Sequence, residues 1–359
     1  MILSLLLFQA ATGPVAKADA WIREQMTARK IPGMAVAVLQ DGRPVLNKGF
    51  GLASVELKVP VTTETRFPIA SVTKIFTATA VMDLVEQGRL TLDTPARAIL
   101  PELPEAWQGA TVRQLLSHTS GLPDIVESPN TAKMVSTNED SAFAIVATRP
   151  LDFAPGAKWS YNQTNYALLG RIIRRLTGKP FPEVYAERLF VPLGMKSAVF
   201  GDARAVVAGR TTSYTRLKML PTGVEPIDSL RTMQYVYEPF LHTAAGLNLS
   251  AGDLARFVEA VRAGRVLKAA TRDTMWTAVR LADGTVPRQL GTVGFGLGWM
   301  VDDAPTGKMA GMEGGAAAAV LVYPSRGLVV AVLTNLQGAG PSELAAGIAK
   351  FFGTGSSQR

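Results

Sequence analysis

The sequence predicts a mixed α/β (α+β) fold: an antiparallel sheet assembled from both chain ends, flanked by helices, with an inserted, mostly helical region. Three observations predict it. Strand-like apolar runs occur early in the chain and again in its last third. The stretch from about 90 to 245 carries helical apolar spacing broken by Pro and Gly. A helical pattern then closes the chain over Ser342–Phe352.

Taken in order, residues Val15–Arg29 place Ile22 and Met26 on one helical face and stop at Pro32-Gly33. Met34–Leu39 is a β-rich run, and Pro44-Val45-Leu46 begins a second one after Asp41-Gly42, which predicts a hairpin. Ser71–Gln87 is helical, with Ile75, Ala78, Val81, Met82 and Val85 at helical spacing. Thr111–His118 and Tyr166–Leu176 are further helices. Asp253 is expected to cap a helix starting at Leu254. Strands are predicted over Gly294–Val301, Ala316–Tyr323 and Gly327–Thr334, with Pro324–Gly327 as a turn. The expected organisation is a single domain over about 21–353. Its sheet part comes from about 21–70 and 246–353, its helical insert from about 71–245, and 354–359 form a frayed tail.

Composition narrows the chemistry. The 359 residues are 47% hydrophobic and 18% charged, a globular balance. The formal charge is +8, but the basic residues are scattered. The densest group, Arg171, Arg174 and Arg175, fits a solvated helix face. No zinc-finger or RNA-recognition signature accompanies them, so nucleic acid is not an expected partner. There is no cysteine, and the histidines are His118 and His242. Disulfides, cysteine-ligated metals, a cysteine nucleophile and a three-histidine zinc site are therefore excluded within the chain.

Residues 1–20 open with Met1-Ile2-Leu3-Ser4-Leu5-Leu6-Leu7-Phe8 and continue into small residues, the pattern of a secretory signal cleaved near Ala18 or Ala20. A periplasmic or secreted location follows from that pattern. No basic residue precedes the apolar run, so a buried first element of a cytoplasmic protein is the competing reading. No later segment has the roughly 20 uninterrupted apolar residues of a membrane span.

Several hydrolase and nucleotide motifs are absent: G-x-S-x-G, H-E-x-x-H, the P-loop, and G-x-G-x-x-G after a strand. The positive signal is Ser71-Val72-Thr73-Lys74 at a helix start. Residues three apart share a helix face, so the lysine amine can meet the serine hydroxyl. A desolvated lysine can take the serine proton. Alone, this spacing more often describes a capping serine with a surface lysine. Its context is Leu115-Leu116-Ser117-His118-Thr119-Ser120-Gly121-Leu122, then Trp159-Ser160-Tyr161-Asn162-Gln163, Ala244-Ala245-Gly246-Leu247, and Ser250–Arg256. With these segments in order from about residue 18 to 350, the chain resembles the serine β-lactamase and penicillin-binding-protein superfamily. More narrowly, it resembles the class C-like branch that includes D-alanyl-D-alanine carboxypeptidases and carboxylesterases.

The resemblance implies a β-lactamase/transpeptidase-like fold with the active site between sheet and helical insert. It implies Ser71 as the acylated nucleophile, Lys74 as its activating partner, and Tyr161 as the tyrosine of a Y-x-N motif. That phenol would shuttle protons if cationic neighbours lowered its pKa. Gln163 stands where the motif has Asn and would bind substrate. The Ser71 and Gly315 N–H groups would form the oxyanion hole. The third motif, Lys-Thr-Gly or His-x-Gly, is replaced by Met312-Glu313-Gly314-Gly315. Met312, Glu313 and Gly314 are expected to line the substrate site. Loss of the basic residue disfavours carboxylate-bearing β-lactams and D-Ala-D-Ala, and leaves neutral esters less affected. The expected substrate is therefore a small ester, with a β-lactam or D-amino-acid peptide as the alternative and a non-catalytic binding protein as a third reading. No cofactor or metal is required. His118 is read as a structural, hydrogen-bonded histidine away from the nucleophile, His242 is given no role, and Trp159 and Tyr166 are read as packing residues.

Overall fold

The computed structural model describes residues 13–128, 133–134, 136–220, 223–289, 293–302 and 308–352. The predicted apolar signal run and the frayed tail lie outside them. Helix α1 spans Pro14–Ala28, strands β1 and β2 span Gly33–Gln40 and Arg43–Ser54, and β3 is Val59–Pro60. These strands belong to one nine-stranded sheet, all of whose neighbours pair antiparallel. On the far side of β1 come Leu328–Thr334, Ala318–Tyr323, Met309–Gly314, Met300–Asp302, Val293–Phe295 and Arg288–Gln289. Both chain ends therefore build the sheet, as the two sets of apolar runs required.

The sheet is covered on both faces, which is why Leu328–Thr334 is buried at every position. Ala35, Ala37, Val329 and Ala331 face the larger core. Their alternates Val36, Val38, Val330 and Val332 face a second core with Ala18 and Ile22 of α1 and Leu344 and Ile348 of the C-terminal helix Pro341–Ala349. Each fully buried Val or Leu contributes roughly 1.5–3 kcal/mol of transfer free energy. The predicted signal cleavage near Ala18 or Ala20 falls inside α1, where Ala18 is completely buried. No helix among the described residues is long and apolar enough to cross a membrane.

Helix α2, Thr73–Glu86, runs through the larger core and is buried on all sides from Thr73 to Met82. It packs against the helices Gln163–Thr177 and His242–Ala245. A helix so enclosed fixes the position of whatever stands at its N-terminus.

Three expectations are corrected. The run Gly294–Val301 is two short strands, Val293–Phe295 and Met300–Asp302, joined by a turn at Gly298. Gly298 has φ +84°, and a Cβ there would stand 2.5 Å from the Ala78 Cβ of α2, so the chain must turn on a glycine to pass the helix. The helical insert also contains an antiparallel hairpin, Tyr214–Leu220 with Gly223–Thr232. Finally, Asp253 is not a cap. Ser250 caps the helix Ala251–Arg262, and the buried Asp253 carboxylate accepts from the Ser197 N–H at 2.9 Å and also pairs with Arg256.

Candidate active site

Ser71 sits in a 3₁₀ turn, Ala70–Val72, that leads directly into α2. Ala70, just before it, has φ +43°, a left-handed backbone for a non-glycine residue. One turn on, Lys74 is fully buried. Its Nζ donates to Ser71 Oγ at 3.3 Å, to Gln163 Oε1 at 3.0 Å and to the Ala244 carbonyl at 3.0 Å. Burial disfavours the ammonium and brings the Lys74 pKa down to about 7, against the opposing field of Asp124. Near neutrality the amine can therefore accept a proton from the hydroxyl it already meets.

Gln163 begins the helix Gln163–Thr177, whose cap is Asn162: its side chain accepts from the Asn165 N–H. The Gln163 N–H is held by Asp124 Oδ1 at 3.1 Å. Asp124 is a mostly buried carboxylate whose pKa is raised by burial, against the opposing pull of the Val126 and Gln163 N–H groups and then of Lys74. Nothing in its sequence context drew attention to it beyond its place just after the Ser-Gly-Leu-Pro segment. Ala244 lies in a segment that carries the resemblance, but its carbonyl's role has no side-chain signature in the sequence.

Tyr161 precedes the helix, and its ring centroid lies 4.7 Å from Lys74 Nζ. Its hydroxyl is buried with no hydrogen-bond partner among the described residues, although Ser71 is near enough to favour the ionised form. Burial dominates and raises the Tyr161 pKa, with Asp124 adding to the rise. The condition for a phenol acidified by cations is thus not met, and burial keeps Tyr161 in its neutral form. His118 lies directly behind it, with ring centroids 4.4 Å apart, closer to the nucleophile's surroundings than expected. It is hydrogen-bonded as predicted: its Nδ1 accepts from the Asn162 N–H at 3.2 Å, with Asn165 Nδ2 at 3.3 Å. Burial, and then Lys74, hold its pKa well below the usual imidazole range, so it stays neutral. Tyr166 is a buried packing residue whose hydroxyl donates to the Leu116 carbonyl, Trp159 is partly buried against Tyr161 and Phe295, and His242 stacks on Phe200.

The strand Met309–Gly314 ends against the nucleophile. A Cβ on Gly314 would lie 2.1 Å from the Ile69 carbonyl oxygen and 2.8 Å from the Ser71 nitrogen. Only a glycine permits this approach, and it brings Gly314 beside the Ser71 nitrogen, while a Cβ on Gly315 would stand 3.1 Å from the Ala70 Cβ, next to Ser71 in the chain. The next two positions inward do not line the site. Met312 is 3% exposed and packed in the larger core. Glu313 points through the opposite face of the sheet, where it accepts from the Ser342 hydroxyl. Strand alternation causes this split: neighbouring residues cannot both face the nucleophile. The arrangement thus gathers Ser71, Lys74, Tyr161, Gln163, Gly314 and Gly315, and leaves Met312 and Glu313 out.

A family model described as Beta-lactamase matches residues 18–352. The chain is 33% identical over 331 residues to "Penicillin-binding protein 4" of Amycolatopsis lactamdurans, covering 86% of this chain and 82% of that protein. It is 30% identical over 186 residues to "Protein flp" of Staphylococcus aureus (strain MW2), covering 51% of this chain but only 37% of that longer protein. Among solved structures, "EstCE1, a hydrolase with promiscuous acyltransferase activity" superposes with a TM-score of 0.78 at 24% identity, covering 94% of this chain and 98% of that one, a likeness of fold. A "D-stereospecific amidohydrolase from Streptomyces sp." superposes with a TM-score of 0.73 at 26% identity, covering 94% and 99%.

Proposed function

The chain belongs to the Beta-lactamase family and is a serine hydrolase of that family, and from that premise we propose that it hydrolyses small carboxylic esters through an acyl-enzyme on Ser71. In this reading neutral Lys74 takes the Ser71 proton as Oγ attacks the ester carbonyl. The oxyanion is met by the Ser71 and Gly315 N–H groups. The tetrahedral intermediate collapses, the C–O bond to the alcohol breaks, and the leaving alkoxide takes the proton held by the Lys74 ammonium, directly or relayed through the Tyr161 phenol, which leaves Lys74 neutral again. Water then attacks the acyl carbonyl, giving a proton to Lys74; the C–Oγ bond breaks, Lys74 returns that proton to Ser71 Oγ, and the carboxylic acid leaves. Gln163, whose Oε1 is occupied by Lys74, keeps its amide N–H₂ for the substrate.

The observation that carries the ester preference is the absence of a base at position 312: methionine is packed into the core there, so the motif position that is Lys or His in the family supplies no cation to a substrate carboxylate. The similarity to a protein named as a penicillin-binding protein favours a second reading, hydrolysis of a β-lactam or D-amino-acid peptide. Comparing kcat/KM on p-nitrophenyl butyrate and nitrocefin separates the two, and faster nitrocefin turnover overturns the ester preference. Ser71→Ala should abolish turnover and the acyl adduct seen by intact mass, while an adduct that persists would move the nucleophile elsewhere.

A further inference from the structure

Residues Gly314–Ala317 close the hairpin between the strands Met309–Gly314 and Ala318–Tyr323. The Ala317 N–H donates to the Gly314 carbonyl at 3.1 Å. Both central residues have positive φ, Gly315 at 58° and Ala316 at 52°. That pattern is a type I′ turn. Gly-Ala is poorly suited to it. Type I′ puts left-handed backbone at both central positions and favours glycine at the second. Type II′ needs glycine only at the first and gives the second an ordinary negative φ, which suits alanine. The two turns differ by rotation of the peptide joining Gly315 to Ala316, which exchanges the directions of its carbonyl and its N–H.

The less suited form is held from outside. Tyr235 Oη donates to the Gly315 carbonyl at 2.8 Å. The Gly338 N–H donates to the Ala316 carbonyl at 2.9 Å. The Tyr235 hydroxyl also fills the space beside Gly315, where a Cβ would stand 2.8 Å from it and 3.1 Å from the Ala70 Cβ. Tyr235 is itself braced by stacking on Tyr237, with centroids 6.2 Å apart and planes 16° from parallel. Burial raises its pKa, so it is a phenol that can donate.

We propose that Tyr235 is a positioning residue for the reaction: by holding the Gly315 carbonyl it selects the type I′ turn and fixes the peptide dipole next to the Gly315 N–H. The proposal rests on the acyl-enzyme reading, in which that N–H meets the oxyanion. A peptide carries a dipole of about 3.5 D. Reversing it two bonds from the donor nitrogen sets a carbonyl oxygen where the turn now presents an N–H, and developing negative charge is sensitive to fixed dipoles of that kind. Tyr235 acts through the turn and does not touch the reacting atoms.

Tyr235→Phe removes the hydroxyl and keeps the ring and its stack. On p-nitrophenyl butyrate, kcat should fall about 10- to 100-fold, below the loss of a whole oxyanion donor, with KM changed less than about 3-fold. Affinity for phenylboronic acid, a tetrahedral mimic, should fall by a factor similar to kcat. Adding Ala316→Gly to the Tyr235→Phe variant gives a Gly-Gly turn that adopts type I′ without help, and should recover most of both losses. A residue that merely packed, or that touched substrate, would not be rescued through Ala316. Values of kcat and boronate affinity within about 2-fold of wild type in Tyr235→Phe, or a loss that Ala316→Gly leaves untouched, overturn the proposal. Wild-type protein that a fluorophosphonate fails to label on Ser71 overturns the acyl-enzyme reading, and the positioning role with it. Labelled wild type beside an unaffected Tyr235→Phe overturns the positioning role alone.

Discussion

Ester hydrolysis should rise with pH through a midpoint near 7, because Lys74 must lose its proton before it can take one from Ser71. The lysine pKa falls from its ordinary 10.5 to about 7. At the midpoint half the amine is neutral, one pH unit lower about a tenth, and two units lower about a hundredth. An unperturbed lysine would be neutral in only about one molecule in 3000 at pH 7. The depression corresponds to about 5 kcal/mol against the buried ammonium. The sign for stability follows: between about pH 7 and 10.5 the unfolded chain binds more protons at this residue than the native state does, so its contribution to stability rises with pH across that window and is least favourable below it. Asp124 opposes the depression. Asp124→Asn keeps an Oδ1 to receive the Gln163 N–H but removes the charge, so it should move the midpoint to lower pH. The assay is kcat/KM for p-nitrophenyl butyrate at constant ionic strength from about pH 5 to about pH 9, a range that spans the midpoint by two units each way. His118 cannot supply the midpoint, because it is held well below its ordinary value. A flat profile, or an upward shift in Asp124→Asn, would refute the assignment of Lys74 as base.

Substitutions at two further positions probe the strand beside the nucleophile. Gly314→Ala drives a Cβ into the Ile69 carbonyl and the Ser71 nitrogen. It should destabilise by about 3 kcal/mol in thermal melting and lose most turnover, and a variant as stable and active as wild type would place Ser71 further from this strand. Met312→His buries an unpaired imidazole among apolar neighbours. Urea denaturation should show a loss of about 2 kcal/mol or more, whereas Met312→Leu should stay within about 1.5 kcal/mol. A fully stable histidine variant with raised esterase activity would return Met312 to the open cleft.

The parts of the site written locally were legible in advance. Ser71 and Lys74 are one helical turn apart, and the turn alone brings their side chains together. Tyr161 and Gln163 came with a recognisable neighbourhood. What escaped detection depends on distant pairing. Tyr235 reaches Gly315 across the fold, and its flanking segment offers no periodicity, since the strand Gly223–Thr232 is largely exposed and lacks an apolar alternation. The face that Glu313 takes is set locally. Strand alternation forbids Met312 and Glu313 from sharing a face, and the period was already present in the sequence. The split of Gly294–Val301 hinged on how closely α2 passes Gly298, a tertiary distance that no run of apolar residues encodes.

The pairing of β1 with Leu328–Thr334 also has a kinetic consequence. Val36 meets Val332 in that ladder, so the centre of the sheet joins residues separated by almost the whole chain. Loop closure of that length must precede the contacts that reward it, which slows folding. During synthesis the apolar hairpin of β1 and β2 emerges early and waits with an open edge until the last strands are made. A strand that is buried along most of its length in the native state is then a template for pairing with other chains. Yield on expression should therefore respond more to slower synthesis, lower temperature or chaperone supply than to changes at the surface of the finished fold.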